Sequence, residues 1–112
     1  IMVATTEDQD ELILENTTTL KVARWWNRAC DIIPCNGGKD IGIQKILDYF
    51  NFNKEEAMAF GDGGNDISML KYVGTGVAMG NAKDNVKAIA DYITDSVQED
   101  GIVSALKHFE IL

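Results

Sequence analysis

Cysteine, proline and histidine are nearly absent from this chain: among 112 residues there are two, one and one of them. Two cysteines are too few for a disulfide scaffold, and Cys30 and Cys35 show no Cys-x-x-Cys or Cys/His spacing suited to zinc or redox chemistry. Reduced thiols in a cytoplasmic protein are the expected reading. A single histidine, His108, leaves Ser-His-Asp and Cys-His mechanisms unsupported. On a C-terminal helix beside Lys107 and Glu110, it reads as a solvated residue rather than a base. Positive charge is also scarce, with 10 basic residues against 18 acidic and a net charge of −8. That balance excludes the basic footprint expected of a partner for nucleic acid or an anionic membrane. It also means that an anionic substrate needs a local cation or a metal. No apolar run approaches the length of a membrane span. Ile1-Met2-Val3-Ala4 lacks the basic start and long apolar core of a signal peptide.

What is present is an ordinary globular composition, 46% hydrophobic and 25% charged, in a chain long enough for one core. The most informative run is Gly61-Asp62-Gly63-Gly64-Asn65-Asp66. Ala57-Met58-Ala59-Phe60 before it reads as a short buried strand, and Ile67 to Tyr72 after it can form a helix. Open α/β folds hold ligands at such strand-to-helix turns. Asp62, first after the strand, would aim an anionic oxygen into the crevice, suited to a hard cation such as Mg²⁺. A surface turn in which Asn65 or Asp66 merely caps the helix accounts for one polar residue, but not for Asp62 together with three glycines.

The remaining elements follow from pattern. Ile1–Thr5 reads as a strand, and Thr6 with Gln9 forms a capping box for a helix reaching about Glu15. Leu20–Trp26 and Ala29–Ile33 form a hairpin around Asn27-Arg28. Adjacent Trp25 and Trp26 in a strand are expected to place one ring in the core and one on the surface. From Lys39 a helix carries Ile43, Ile46, Leu47 and Phe50 as an apolar stripe. Strands at Ala57–Phe60, Gly76–Met79 and Tyr92–Thr94 alternate with helices from Asn65, from a cap at Asn81, and from Asp100. The last helix shows the stripe Ile102, Ala105, Leu106 and Phe109. Repeated β-α-β units imply a parallel sheet. The change of register near Pro34 places a domain boundary there.

Lys39 is the second chemical position. A cation at a helix start opposes the macrodipole, yet beside Asn36-Gly37-Gly38 it is well placed to meet an anion with nearby amides. A solvated lysine fits the local sequence equally well. A P-loop is excluded, because its first glycine would fall on Ile33 and no Ser or Thr follows Lys39. Gly74 to Gly80 has one residue too many for a dinucleotide fingerprint and reads as strand.

Taken together, GDGGNDISML, VGTGVAMGNAKDNVKAIADYIT and EDGIVSALKHF resemble the C-terminal part of Cof-type phosphatases of the haloacid dehalogenase-like superfamily, and DIIPCNGGKDIGI looks like the passage from cap to core. The resemblance implies an α/β fold: the C-terminal half of a Rossmann-like parallel-sheet core (34–112) preceded by the β-α-β-β tail of an α/β cap (1–33). It implies that Lys39 stabilises the phosphoryl group, that Asp62 is a Mg²⁺ ligand, that Asp66 supports the metal, and that Asn65 contacts the substrate. The family often has Ser or Thr before this lysine and Gly after it, where this chain has Gly38 and Asp40. Its nucleophile motif, Asp-x-Asp-Gly-Thr/Ser, is not in these residues. Asp8-Gln9-Asp10 has the spacing, but Glu11-Leu12 follows it in a helix.

The expectation is therefore the C-terminal portion of a Mg²⁺-dependent phosphomonoester hydrolase. It would act on small phosphorylated metabolites such as sugar phosphates through an aspartyl-phosphate whose aspartate lies outside this chain. The chain alone would be inactive, and its partner would be the remaining N-terminal part of the enzyme. A phosphomutase of the same superfamily, or a non-catalytic module binding Mg²⁺, phosphate or a partner, are the alternatives. An isolated half-sheet would also be prone to self-association.

Overall fold

A computed structural model describes all residues, 1–112. Two separate three-stranded sheets organise the chain. The first is antiparallel with order β1-β3-β2, built from β1 (Met2–Val3), β2 (Leu20–Trp26) and β3 (Ala29–Pro34). The second is parallel with order β4-β5-β6, from β4 (Met58–Gly61), β5 (Thr75–Ala78) and β6 (Tyr92–Ile93). Five helices complete it: α1 (Asp10–Leu14), α2 (Lys39–Phe50), α3 (Ile67–Tyr72), α4 (Asp84–Lys87) and α5 (Gly101–His108). The change from antiparallel to parallel pairing falls between β3 and β4. None of these helices is long and apolar enough to cross a membrane.

Local chemistry explains the elements. Thr6 and Gln9 close the expected capping box, with the Thr6 N–H donating to Gln9 Oε1 at 3.0 Å ahead of the turn that leads into α1. In the hairpin, Lys21 stands opposite Ile33 and Ala23 opposite Asp31, so these four share one face. Arg24 lies on the other face, where its guanidinium pairs with Asp10 of α1 and donates to the Thr5 carbonyl at 3.1 Å. β5 is the central strand of its sheet, and Gly76, Val77 and Ala78 are all buried, as a parallel strand covered on both faces requires. Leu70, Val77 and Val86 are the largest side chains buried completely in that half. β4, which leads into the glycine-rich turn, is an edge strand.

Four expectations need correction. The ladder register shifts between Arg24 and Trp26, a bulge that breaks the in-out alternation, so both tryptophans are exposed, at 36% and 52%. Of the α2 stripe only Ile43 and Leu47 are half-buried, whereas Ile46 and Phe50 are 60% and 61% exposed. The stripe is apolar, but nothing within residues 1–112 covers half of it. On α5 the buried positions are Gly101 and Ala105, one turn apart, which rotates Ile102 outward into solvent. Finally, Asn81 caps no helix: α4 begins at Asp84 behind Lys83, and the Asn81 carboxamide is engaged elsewhere.

Candidate active site

β4 ends at Gly61, and the chain then turns through Asp62 and Gly63 into a single 3₁₀ turn, Gly64–Asp66, before α3. Gly64 is required by close approach, since a Cβ there would lie 2.7 Å from the Arg24 carbonyl oxygen of the hairpin. The loop is thereby packed directly under the antiparallel sheet.

Asp66 holds the loop from inside. Its side chain is only 8% exposed. Oδ2 accepts from the backbone N–H groups of Asp62 and Gly63, both at 3.0 Å, and Oδ1 pairs with the Lys39 ammonium. Burial alone would push this carboxyl up, but the Lys39 hydrogen bond, the Gly63 and Asp62 amides and the lysine charge outweigh it. The group sits below its ordinary value of 3.8. Asp66 is therefore an anion at neutral pH, and both of its oxygens are occupied.

Lys39 is the first residue of α2. It is delivered by Gly38 at φ 140°, ψ 170°, a conformation strained for any side chain, and a Cβ there would also meet Asp40 Oδ1 at 2.6 Å. Asp40 in turn accepts from Ser68 Oγ at 3.1 Å, tying the start of α2 to α3.

Asp62 is exposed at the carboxyl end of β4, as expected. Its Oδ2 accepts from Asn81 Nδ2 at 3.0 Å, and the Asn81 Oδ1 accepts from the Val97 N–H at 3.0 Å. Asn65 folds back over Gly63, its Oδ1 lying 2.8 Å from where a Gly63 Cβ would be. Lys39, Asp62, Asn65 and Asp66, the four residues singled out in the sequence, line one open cleft of about 550 Å³ together with Trp25 and Asn81. Asp31, Lys39 and Asn65 also border an adjoining hollow beneath the hairpin, with Lys21 and Ile33.

Asn81 was missed by sequence reasoning, although topology points to it. Gly61 stands opposite Ala78 in the β4–β5 ladder, so the segments leaving the two strands emerge side by side. A polar residue shortly after β5 then falls next to Asp62.

The donor chemistry fits part of a hard-cation site. Asp62 offers a carboxylate with one oxygen uncommitted, which suits Mg²⁺, while Asp66 is engaged in bracing the turn. No group of three or more His, Cys, Asp or Glu residues converges anywhere in the chain. Residues 1–112 thus supply one open position and its supports rather than a whole cage.

Comparison with known proteins agrees with this fold. The model of the haloacid dehalogenase-like hydrolases matches residues 2–106. The chain is similar to the solved HAD subclass IIB sugar phosphatase BT4131, at 45% identity and TM-score 0.91 over 97% of this chain and 42% of that one. It is also similar to the phosphatase-superfamily protein BT1666 of Bacteroides thetaiotaomicron, at 38% identity and TM-score 0.90 over 97% of this chain and 41% of that one. Among curated proteins, the 5-amino-6-(5-phospho-D-ribitylamino)uracil phosphatase YitU of Bacillus subtilis is 44% identical over 89 residues, 77% of this chain and 33% of its own length. The chain spans less than half the length of each of these relatives. A match running through nearly the whole sequence, with the parallel half-sheet and its acidic turn in place, makes this chain a member of the haloacid dehalogenase-like hydrolases.

Proposed function

We propose that the protein acts as a Mg²⁺-dependent phosphomonoester hydrolase on small phosphorylated metabolites, sugar phosphates among them. Residues 34–112 are read as the C-terminal half of the catalytic core and residues 1–33 as the tail of a cap. The observation that carries this reading is the convergence of Lys39, Asp62, Asn65 and Asp66 on one cleft at the carboxyl end of an edge strand. The names of BT4131 as a sugar phosphatase and of YitU as a phosphatase support the same reaction class.

Each residue has a role that follows from its surroundings. Lys39 supplies positive charge in an otherwise acidic chain, and Asp66 holds its ammonium in the cleft. That charge would meet a phosphoryl oxygen and stabilise the negative charge that develops as the ester bond breaks. Asn65 would orient the phosphate through its carboxamide. Asp62 would hold Mg²⁺, which when bound supplies charge neutralisation between phosphate and carboxylate. Asp66 shapes the turn through the Asp62 and Gly63 amides, so that Asp62 leaves the strand in a fixed direction. The hairpin face carrying Trp25 and Asp31 closes one side of the cleft and would limit water there. The attacking carboxylate, which would form the aspartyl-phosphate, is not among these residues. It would come from the N-terminal part of the same enzyme, the partner this half-core expects.

Replacing Asp62 with Ala in the full-length protein tests the assignment. Loss of Mg²⁺-dependent hydrolysis by about two to three orders of magnitude is expected, as for removal of a principal electrostatic stabiliser. Turnover of a sugar-phosphate panel within a few-fold of wild type would sink it.

A further inference from the structure

Asp62 stands on a solvent-facing turn, where a carboxylate attached only by its own backbone is free to rotate. One neighbouring side chain removes that freedom. Asn81 Nδ2 donates to Asp62 Oδ2 at 3.0 Å, and Asn81 Oδ1 accepts from the Val97 N–H at 3.0 Å. The second bond dictates the first: a carboxamide whose oxygen is held by an N–H donor must turn its NH₂ the other way, here onto Asp62. The anchor is itself held. Val97 opens a 3₁₀ turn behind Ser96, whose hydroxyl donates to Glu99 Oε2 at 2.6 Å. Next to Asn81, the Gly80 N–H donates to the Asp95 carbonyl at 3.0 Å, so both residues are docked on the same segment after β6.

We propose that Asn81 is a positioning residue for cation capture. It holds Asp62 Oδ2 so that Oδ1 is the oxygen presented to the cleft, and it takes its own orientation from the Val97 amide. This rests on the Mg²⁺ reading of Asp62 and extends the site to the 95–99 segment, far along the chain from the acidic turn. Asn81 acts only through Asp62. Its removal therefore weakens metal binding while leaving the phosphate contacts of Lys39 in place.

The test uses the full-length protein as wild type, Asn81→Ala and Val97→Pro. Val97→Pro removes the N–H and exchanges a side chain that is 60% exposed, at the first position of a turn and after a Ser96 already at φ −69°, ψ 166°, where a following proline is accommodated. Mg²⁺ affinity is measured by titration calorimetry without substrate, and melting temperature is measured in EDTA. Outer partners of metal ligands typically govern about 10–100-fold in affinity. Asn81→Ala is therefore expected to bind Mg²⁺ about ten-fold more weakly, with its lost turnover recovered at higher Mg²⁺ and KM for the phosphoester unchanged. Val97→Pro is expected to weaken Mg²⁺ binding by a smaller factor with Asn81 intact, which a mere packing role of Asn81 would not produce. Wild-type Mg²⁺ affinity in both variants would overturn the proposal while leaving the role of Asp62 standing. A wild-type protein that binds no Mg²⁺ would remove both.

Discussion

Replacing Asp66 with Asn isolates the interaction on which the geometry of the site depends. The carboxylate accepts two backbone N–H bonds at 3.0 Å and pairs with Lys39 while almost wholly buried. An amide of the same shape can keep its oxygen on the Asp62 and Gly63 N–H groups, which share one acceptor, but it then turns an NH₂ toward the Lys39 ammonium. Leaving that buried NH₂ without an acceptor costs about 1–3 kcal/mol. The ion pair adds only about 0.5–1 kcal/mol, because Lys39 is half exposed and solvent screens it. A loss of roughly 2–3 kcal/mol follows, which for a domain of this size corresponds to a melting temperature lower by about 10 °C or more. The pH dependence supplies a second signature. Asp66 is depressed below 3.8 in the fold, so its contribution is complete above that value and fades as pH falls through the lower folded value. The gap between wild type and Asp66→Asn should therefore be constant from pH 7 to about 5 and close in stronger acid. Urea unfolding at several pH values measures it. A gap below about 0.5 kcal/mol at pH 7, or one that widens in acid, would refute the reasoning.

Three further outcomes follow from the same contacts. Gly64→Ala drives a methyl to within 2.7 Å of the Arg24 carbonyl and should cost about 1–3 kcal/mol in thermal melts, as overpacking does. Leu70→Ala removes a core side chain that is 1% exposed, and should cost about 2–5 kcal/mol by urea unfolding. Lys39→Met should remove most phosphoester turnover in the full-length protein while Mg²⁺ binding by calorimetry persists. Equal loss of both would show that the lysine acts on the metal carboxylate rather than on phosphate.

The acidic turn was legible in the sequence because its physics is local. A short apolar strand, glycines and a carboxylate at the strand end define an acidic strand-to-helix turn without reference to anything distant, and α2 beginning at Lys39 follows from the glycines before it. What stayed hidden depends on partners remote in the chain. Asn81 looks like a helix cap until the parallel register sets its segment beside Asp62 and the Val97 amide takes its oxygen. The bulge at Trp25 is a property of the β2–β3 pairing, invisible in the alternation of β2 alone. The α2 stripe was read correctly as apolar, but periodicity says nothing about whether a partner covers it. Ile46 and Phe50 find none in residues 1–112.

In the proposed reaction Asp62 would take a cation and Lys39 with Asn65 would take a phosphoryl group. The most direct test is a crystal structure of the full-length protein with Mg²⁺ and orthovanadate, a mimic of phosphate in transfer. The expected result is the cation on Asp62 Oδ1, the oxyanion within hydrogen-bond reach of the Lys39 ammonium and the Asn65 carboxamide, and the Asn81 bond to Asp62 Oδ2 intact. A cation bound away from Asp62, or an oxyanion seated out of reach of Lys39, would contradict it.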